Sequence, residues 1–181
     1  MVYIILGTGF EEIEALAPCD LLRRGGVDVK LAGIGSQEIS GGRGIKVKTD
    51  CLLEDIDLSE ADMIVIPGGL RGVETIESTP AALELVRSAY DMGKFVAAIC
   101  AGPRVLAKIG ILDGKNAVCY PGMEAEMTGG IMTNESPVVC DGNVITSRSA
   151  GTAIDFGLTL LSLLKGSETA DRVCHGIYYE K

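Results

Sequence analysis

The 181-residue chain fits one domain, residues 1–181, and is long enough to close a core without disulfides or metals. Aromatic residues make up only 4% of a sequence that is 47% hydrophobic, so the core must be built from Ile, Val, Leu and Ala, which suits a buried parallel sheet. A formal net charge of −9 opposes binding to nucleic acid or to an anionic membrane, and no apolar stretch reaches the roughly 18 residues of a membrane span.

In chain order, Val2–Leu6 reads as a first buried strand. The acids Glu11, Glu12 and Glu14 follow too soon for a secretory leader, so a cytoplasmic protein is expected. Glu11–Arg24 reads as a helix closed by Gly25-Gly26, with Pro18 removing one donor inside it, so a distortion is expected there. Val27–Ala32 returns as a second strand, and Ile45–Lys48 alternates apolar and polar residues like a short exposed one. Met63–Ile66 is a central strand that stops at Pro67-Gly68-Gly69. Thr79-Pro80 opens a helix to Met92, with Gly93 just past its end.

Phe95–Ile99 is another buried strand and runs straight into Cys100, Ala101, Gly102 and Pro103, after which a helix continues through Leu106 and Lys108. Ala117–Cys119, Val138–Cys140 and Val144–Ser147 read as shorter strands, the last two joined by an Asp141-Gly142 turn. Thr152–Leu164 is apolar nearly all round and reads as a buried helix, and Glu168–His175 as a last short one. This alternation gives an α/β fold, a mostly parallel sheet with helices on both faces. Ligands in such folds sit beyond the carboxyl ends of the strands, which selects Gly7–Glu14, Pro67–Gly72 and Cys100–Pro103.

Gly7-Thr8-Gly9 begins like a dinucleotide fingerprint, but the third glycine would fall at Glu12 and three acids would face the pyrophosphate. No nucleotide or other cofactor is expected. The cysteines are Cys19, Cys51, Cys100, Cys119, Cys140 and Cys174, with no C-x-x-C pair, so no metal site is expected. Cys100 differs from the others by its setting. A strand ends on it, small residues follow, and a helix opens at once, as at a nucleophile elbow, where a helix N-terminus favours thiolate. The alternative is a cysteine that merely packs.

Glu14 shares a helical face with Ala17, Pro18 and Leu21, where burial would raise its pKa and keep it a proton donor. The alternative is an acid that caps the helix or points to water. Gly68 and Gly69 would let backbone N–H groups approach a ligand beside Cys100, or would form a plain turn. His175 is the single histidine and sits near the chain end, so a Cys–His dyad is not expected within one chain.

Segments G-F-E-E-I-E-A at 9–15, L-R-R-G-G-V at 22–27, V-I-P-G-G at 65–69, A-A-I-C-A-G-P at 97–103 and T-S-R-S-A-G-T at 146–152 together resemble the ThiJ/PfpI superfamily. Within it they are most similar to the branch of the Parkinson's-disease-associated deglycase. The resemblance implies a flavodoxin-like sandwich, usually a homodimer. It implies that Cys100 is the nucleophile at a strained elbow and Glu14 the protonated acid beside it. The N–H groups of Gly69 and Ala101 match an oxyanion site, and Arg148 and Arg43 match arginines that line or flank the pocket.

The implied activity is cofactor-free conversion of small dicarbonyls to hydroxy acids, or removal of early glycated adducts. A non-enzymatic alternative is an oxidative-stress sensor in which Cys100 becomes a sulfinate. Two positions depart from the pattern. Tyr120 stands before Pro121 where the branch carries histidine, and Ala101 stands where the peptidase-like branch carries histidine, which disfavours a protease.

Overall fold

The computed structural model describes residues 1–133 and 135–180. The strands are β1 (Val2–Leu6), β2 (Val29–Gly33), β3 (Glu38–Ser40), β4 (Lys46–Lys48), β5 (Cys51–Leu52), β6 (Met63–Ile66), β7 (Phe95–Ile99), β8 (Asn116–Ala117), β9 (Ile131–Met132), β10 (Val138–Asp141) and β11 (Val144–Ser147). The helices are α1 (Glu12–Arg24), α2 (Leu70–Glu77), α3 (Pro80–Asp91), α4 (Pro103–Lys108), α5 (Ala153–Lys165) and α6 (Ser167–Gly176). Among the described residues no helix is long and apolar enough to cross a membrane.

The main sheet runs β10-β11-β7-β6-β1-β2-β5. Every pairing in it is parallel except β10 with β11, joined by the Asp141-Gly142 turn. Successive side chains of a strand point to opposite faces. In β1, Val2, Ile4 and Leu6 therefore join one core with residues of α1, α5 and α6, while Tyr3 and Ile5 join the other with α2, α3 and α4. All five are closed to solvent, and each such side chain contributes about 1.5–3 kcal/mol.

Several elements differ from the sequence reading. Glu11 caps α1 rather than opening it, its side chain accepting the Glu14 N–H at 2.8 Å. The helix continues past Pro18, which supplies no N–H, with Ala15, Cys19, Leu21 and Leu22 buried around it. β2 starts two residues later than expected and ends one later, and the Ile45–Lys48 strand is one arm of an antiparallel hairpin, β3 with β4. Strand β8 covers Asn116–Ala117 and leaves Cys119 outside it. β3, β5, β9 and α2 have no counterpart in the sequence pattern. Each is short, and α2 buries only Gly72, Val73 and Ile76, too few positions for a period to emerge.

Candidate active site

β1 lies between β2 and β6, and the chain leaves β1 for α1 on one face but leaves β6 for α2 on the other. The two exits diverge, and a crevice opens at the carboxyl ends of the strands. The end of β7 delivers Cys100 to the same place.

Cys100 has φ +66°, a left-handed conformation that costs a non-glycine residue on the order of 1–3 kcal/mol. Bonds on both sides hold it there. Its N–H donates to the Ser147 carbonyl at 2.9 Å, and its carbonyl accepts the Tyr120 N–H at 2.9 Å. Gly102 N–H turns back to the Ile99 carbonyl at 2.9 Å, which starts α4 at once. Cys100 is half-buried and packs against both cores.

Glu14 lies in the first turn of α1 and is 1% exposed. Its Oε2 accepts the Gly68 N–H at 2.8 Å, and the Ala150 N–H faces the carboxyl as well. The same carboxyl faces the Cys100 sulfur, and the proton affinity of each group responds to the other. Gly68 makes this approach possible, since a Cβ there would stand 2.7 Å from the Cys100 Cβ and closer still to Glu14 Oε2. Gly69 has φ +86° and turns its N–H onto the sulfur alongside that of Ala101.

Burial pushes Glu14 up from 4.5 to about 7, and the facing donors only soften that rise. Burial, then the Glu14 charge, pushes the Cys100 thiol up to about 12, against the pull of the Ala101 and Gly69 N–H groups. These are two steps of one pair. The first proton leaves near 7, and the second must leave beside the negative charge the first has created. Between those steps one proton is shared: thiol with carboxylate, or thiolate with carboxylic acid.

Two effects oppose each other at the thiol: the N–H groups at the helix start favour thiolate, and burial beside an acid disfavours it. α4 spans only Pro103–Lys108, and burial with a neighbouring acid outweighs its first turn. Burial also raises the thiols of Cys19, Cys51, Cys119 and Cys140. What sets Cys100 apart is a proton partner.

These groups line a cavity of about 720 Å3. Cys100, Glu14, Gly69, Ala101, Tyr120 and Arg43 all border it. Gly68 lies behind the lining, wedged between Glu14 and Cys100. Arg148 does not border the cavity, whereas Ser149 and Ala150 do.

Glu12 and Arg71 also line the cavity. Glu12 lay within the E-E-x-E run, but its role depends on a partner loop 31 residues away. Arg71 belongs to α2, which the sequence pattern does not reveal. Bidentate pairing of Arg104 with Glu77, at 2.9 Å for both bonds, ties α4 to α2 behind the site and is likewise non-local.

The sequence matches the DJ-1/PfpI family over residues 1–163. It is 36% identical over 176 residues to protein dj-1beta of Drosophila melanogaster, covering 96% of this chain and 94% of that one. The crystal structure of that protein superposes with a TM-score of 0.94, covering 99% of this chain and 98% of the other at 35% identity. A deglycase of Pyrococcus abyssi is 33% identical over 165 residues, covering 91% and 99% of the two chains. A glutathione-independent glyoxalase of Caenorhabditis elegans is 35% identical over 159 residues, covering 87% and 84%. On sequence and fold together, the chain belongs to the DJ-1/PfpI family.

Proposed function

We propose that this chain is a cofactor-independent, cysteine-dependent enzyme of the glyoxalase or deglycase type, acting on small reactive dicarbonyls or glycated adducts. The observation that carries the reading is the Cys100 sulfur, open to a cavity and faced by one buried carboxyl and two backbone N–H groups. Relatives named as a deglycase and a glutathione-independent glyoxalase support it.

The active form is the thiolate beside the Glu14 carboxylic acid. Sulfur attacks the aldehyde carbon of R–CO–CHO and forms a C–S bond, and the carbonyl electron pair moves onto oxygen. The Gly69 and Ala101 N–H groups receive that charge, and Glu14 protonates it to a hemithioacetal. The Glu14 carboxylate then removes the C–H proton to give an enediol and returns it to the adjacent carbon, while the C1 hydroxyl proton passes to the C2 oxygen, leaving a 2-hydroxy thioester. Water releases the hydroxy acid and restores the thiol. The sum is dicarbonyl plus water to hydroxy acid, with no outside oxidant. A carboxyl that titrates near 7 suits both halves of this shuttle. Tyr120, 48% exposed at the rim, offers a phenol as a hydrogen-bond donor.

The test is methylglyoxal consumption by purified protein and by Cys100→Ser. Turnover that persists in the variant, or is absent from both, overturns the proposal.

Stress sensing through a Cys100 sulfinate is the second reading. It draws on the contrast between Cys100, open to the cavity, and Cys19, Cys51, Cys119 and Cys174, which are buried. Peptide mass spectrometry after mild peroxide decides it: Cys140 oxidised with Cys100 still reduced ends this reading.

We place the protein in the cytoplasm as a homodimer. Its unpaired cysteines accord with a reducing compartment. Ile13 and Ile45, 55% and 54% exposed, accord with a covered face. Sedimentation of wild type beside Ile13→Glu tests the dimer.

A further inference from the structure

The Cys100 cavity is larger than the smallest dicarbonyls need. At about 720 Å3 it falls among sites that enclose drug-sized ligands, whereas methylglyoxal carries only a methyl group beyond its carbonyls. A carbonyl compound bound through the Cys100 sulfur must place its substituent inside that same cavity.

Charge does not select the substituent. Glu11, Glu12, Glu14 and Glu126 border the cavity together with Arg43 and Arg71, so neither sign prevails. The apolar part of the lining is more distinctive. Leu70 and Tyr120 are large apolar side chains left 56% and 48% exposed, and both border this cavity, with the half-buried Met123 beside them. Scattered singly, such residues need no explanation; gathered beside a reactive group, they mark a binding surface.

The backbone fixes their places. Tyr120-Pro121-Gly122-Met123 is a tight turn, closed by the Met123 N–H on the Tyr120 carbonyl at 3.0 Å, with Gly122 at φ +96°. Proline second and a left-handed glycine third is the type II pattern, which brings the first and last residues together. The Tyr120 N–H also donates to the Cys100 carbonyl at 2.9 Å, so this wall is fastened to the nucleophile's own backbone. Leu70 comes from a second wall, the first turn of α2. One arginine holds both walls. Arg104 pairs with Glu77 at the end of α2 at 2.9 Å, and with Glu126 just past Met123 at 3.1 Å. Walls fixed before a ligand arrives lower the ordering cost of binding it.

We propose that Leu70, Tyr120 and Met123 form an apolar subsite beside Cys100 that takes an aryl substituent, so that the preferred substrate is an aryl-substituted 2-oxoaldehyde rather than methylglyoxal. A tyrosine ring and a thioether sulfur both make favourable contacts with an aromatic ring, and leucine adds apolar area. The oxoaldehyde chemistry rests on the function proposed above. The subsite does not, and it can be tested without turnover.

The probe is alkylation of Cys100 by iodoacetamide and by its N-phenyl derivative, both uncharged. In each case sulfur forms a thioether, iodide leaves and the thiol proton passes to solvent. Rates are measured by peptide mass spectrometry, with the exposed Cys140 as internal reference. Taking the ratio of the two reagents cancels any change in the thiol itself. The preference for the N-phenyl reagent at Cys100 is expected to exceed that at Cys140 about tenfold. It should fall about threefold in Leu70→Ser, fall to the Cys140 level in Leu70→Ser/Met123→Ser, and persist in Leu70→Met. An equal ratio in wild type and the double variant overturns the subsite, as does a preference at Cys100 no greater than that at Cys140.

A second arm measures mandelate formed from phenylglyoxal and lactate formed from methylglyoxal. The kcat/KM for phenylglyoxal should be about tenfold the higher, and the gap should close in the double variant through KM. A wild type that favours methylglyoxal overturns the substrate assignment. If neither acid is formed, the proposed activity fails while the alkylation ratio still decides the subsite.

Discussion

Glu12 and Glu14 stand two residues apart in the first turn of α1, at 5% and 1% exposure. They share a helix, a chemistry and a cavity, yet they do different work. Glu12 turns to the β3–β4 hairpin, where Oε1 accepts the N–H groups of Arg43 at 2.7 Å and Ile45 at 3.4 Å, while the buried Oε2 has no partner among the described residues. Glu14 turns to Gly68 and the Cys100 sulfur. One acid fastens a loop and the other shares a proton with a thiol. Burial alone therefore does not make a carboxylate chemical; the group it is buried against does.

The widest separation between the two should appear in turnover. Glu14→Gln keeps the shape but removes the proton shuttle, and its kcat/KM for methylglyoxal is expected to drop about 10²–10⁴-fold. Glu12→Gln should lose less than about threefold, since an amide oxygen can still accept both hairpin N–H groups. Equal losses in steady-state assays would erase the distinction.

Stability against pH gives the next contrast. The folded pKa of Glu14, about 7, lies above its ordinary 4.5. Between those values the folded chain keeps a proton that the unfolded chain has released, so stability falls as pH rises through the window. At 1.36 kcal/mol per unit the loss from this group is about 3 kcal/mol. Urea unfolding of wild type and Glu14→Gln at several pH values between 4.5 and 8 should show the difference between them closing and then reversing in favour of the variant. Parallel curves would mean that Glu14 is not the titrating group.

Gly68→Ala sharpens the comparison from the other side. The new methyl would enter the gap between Glu14 and Cys100, and overpacking of this kind costs about 2 kcal/mol. Thermal unfolding should register that cost, and iodoacetamide labelling should show the pH profile of Cys100 displaced. A normal profile would show that the pair tolerates separation.

The smallest effect belongs to the Glu12 clasp. Charge-assisted bonds exceed neutral ones, so Glu12→Gln should weaken the hairpin anchorage by about 1 kcal/mol. Hydrogen exchange at the Arg43 and Ile45 amides should then speed up about fivefold while Gly68 stays protected. Faster exchange at Gly68 instead would reverse the roles assigned to the two acids.

Much of this was legible in the chain. The buried strands announce themselves as apolar runs cut off by Gly, Pro or Cys, and those cuts fall where the parallel strands end. Cys100, Gly68 and Gly69 stand out because each lies at a strand end, and Glu14 because it shares a helical face with Ala17, Pro18 and Leu21; the roles of Cys100, Glu14 and Gly69 come from the family resemblance. The illegible parts are those fixed by distant partners. Glu12 cannot be told from Glu14 until the hairpin at 38–48 is placed. Arg71 is invisible as a cavity residue until α2, eight residues long with a glycine inside, is known to be a helix. Arg148 flanks the cavity rather than lining it, next to Ser149 and Ala150, a distinction that sequence does not display. The opposition at Cys100 between helix start and burial is half visible, because sequence displays a nearby helix start but not the depth of burial.

Cys100 touches the packing of both layers, whereas most core residues belong to one. A methyl group lost from Leu160 on α5 or from Val105 on α4 disturbs a core that reaches the same sulfur. The labelling rate of one thiol is therefore a gauge of looseness on either side of the sheet, and it serves as a built-in probe for screening variants whose altered residue lies far from the crevice.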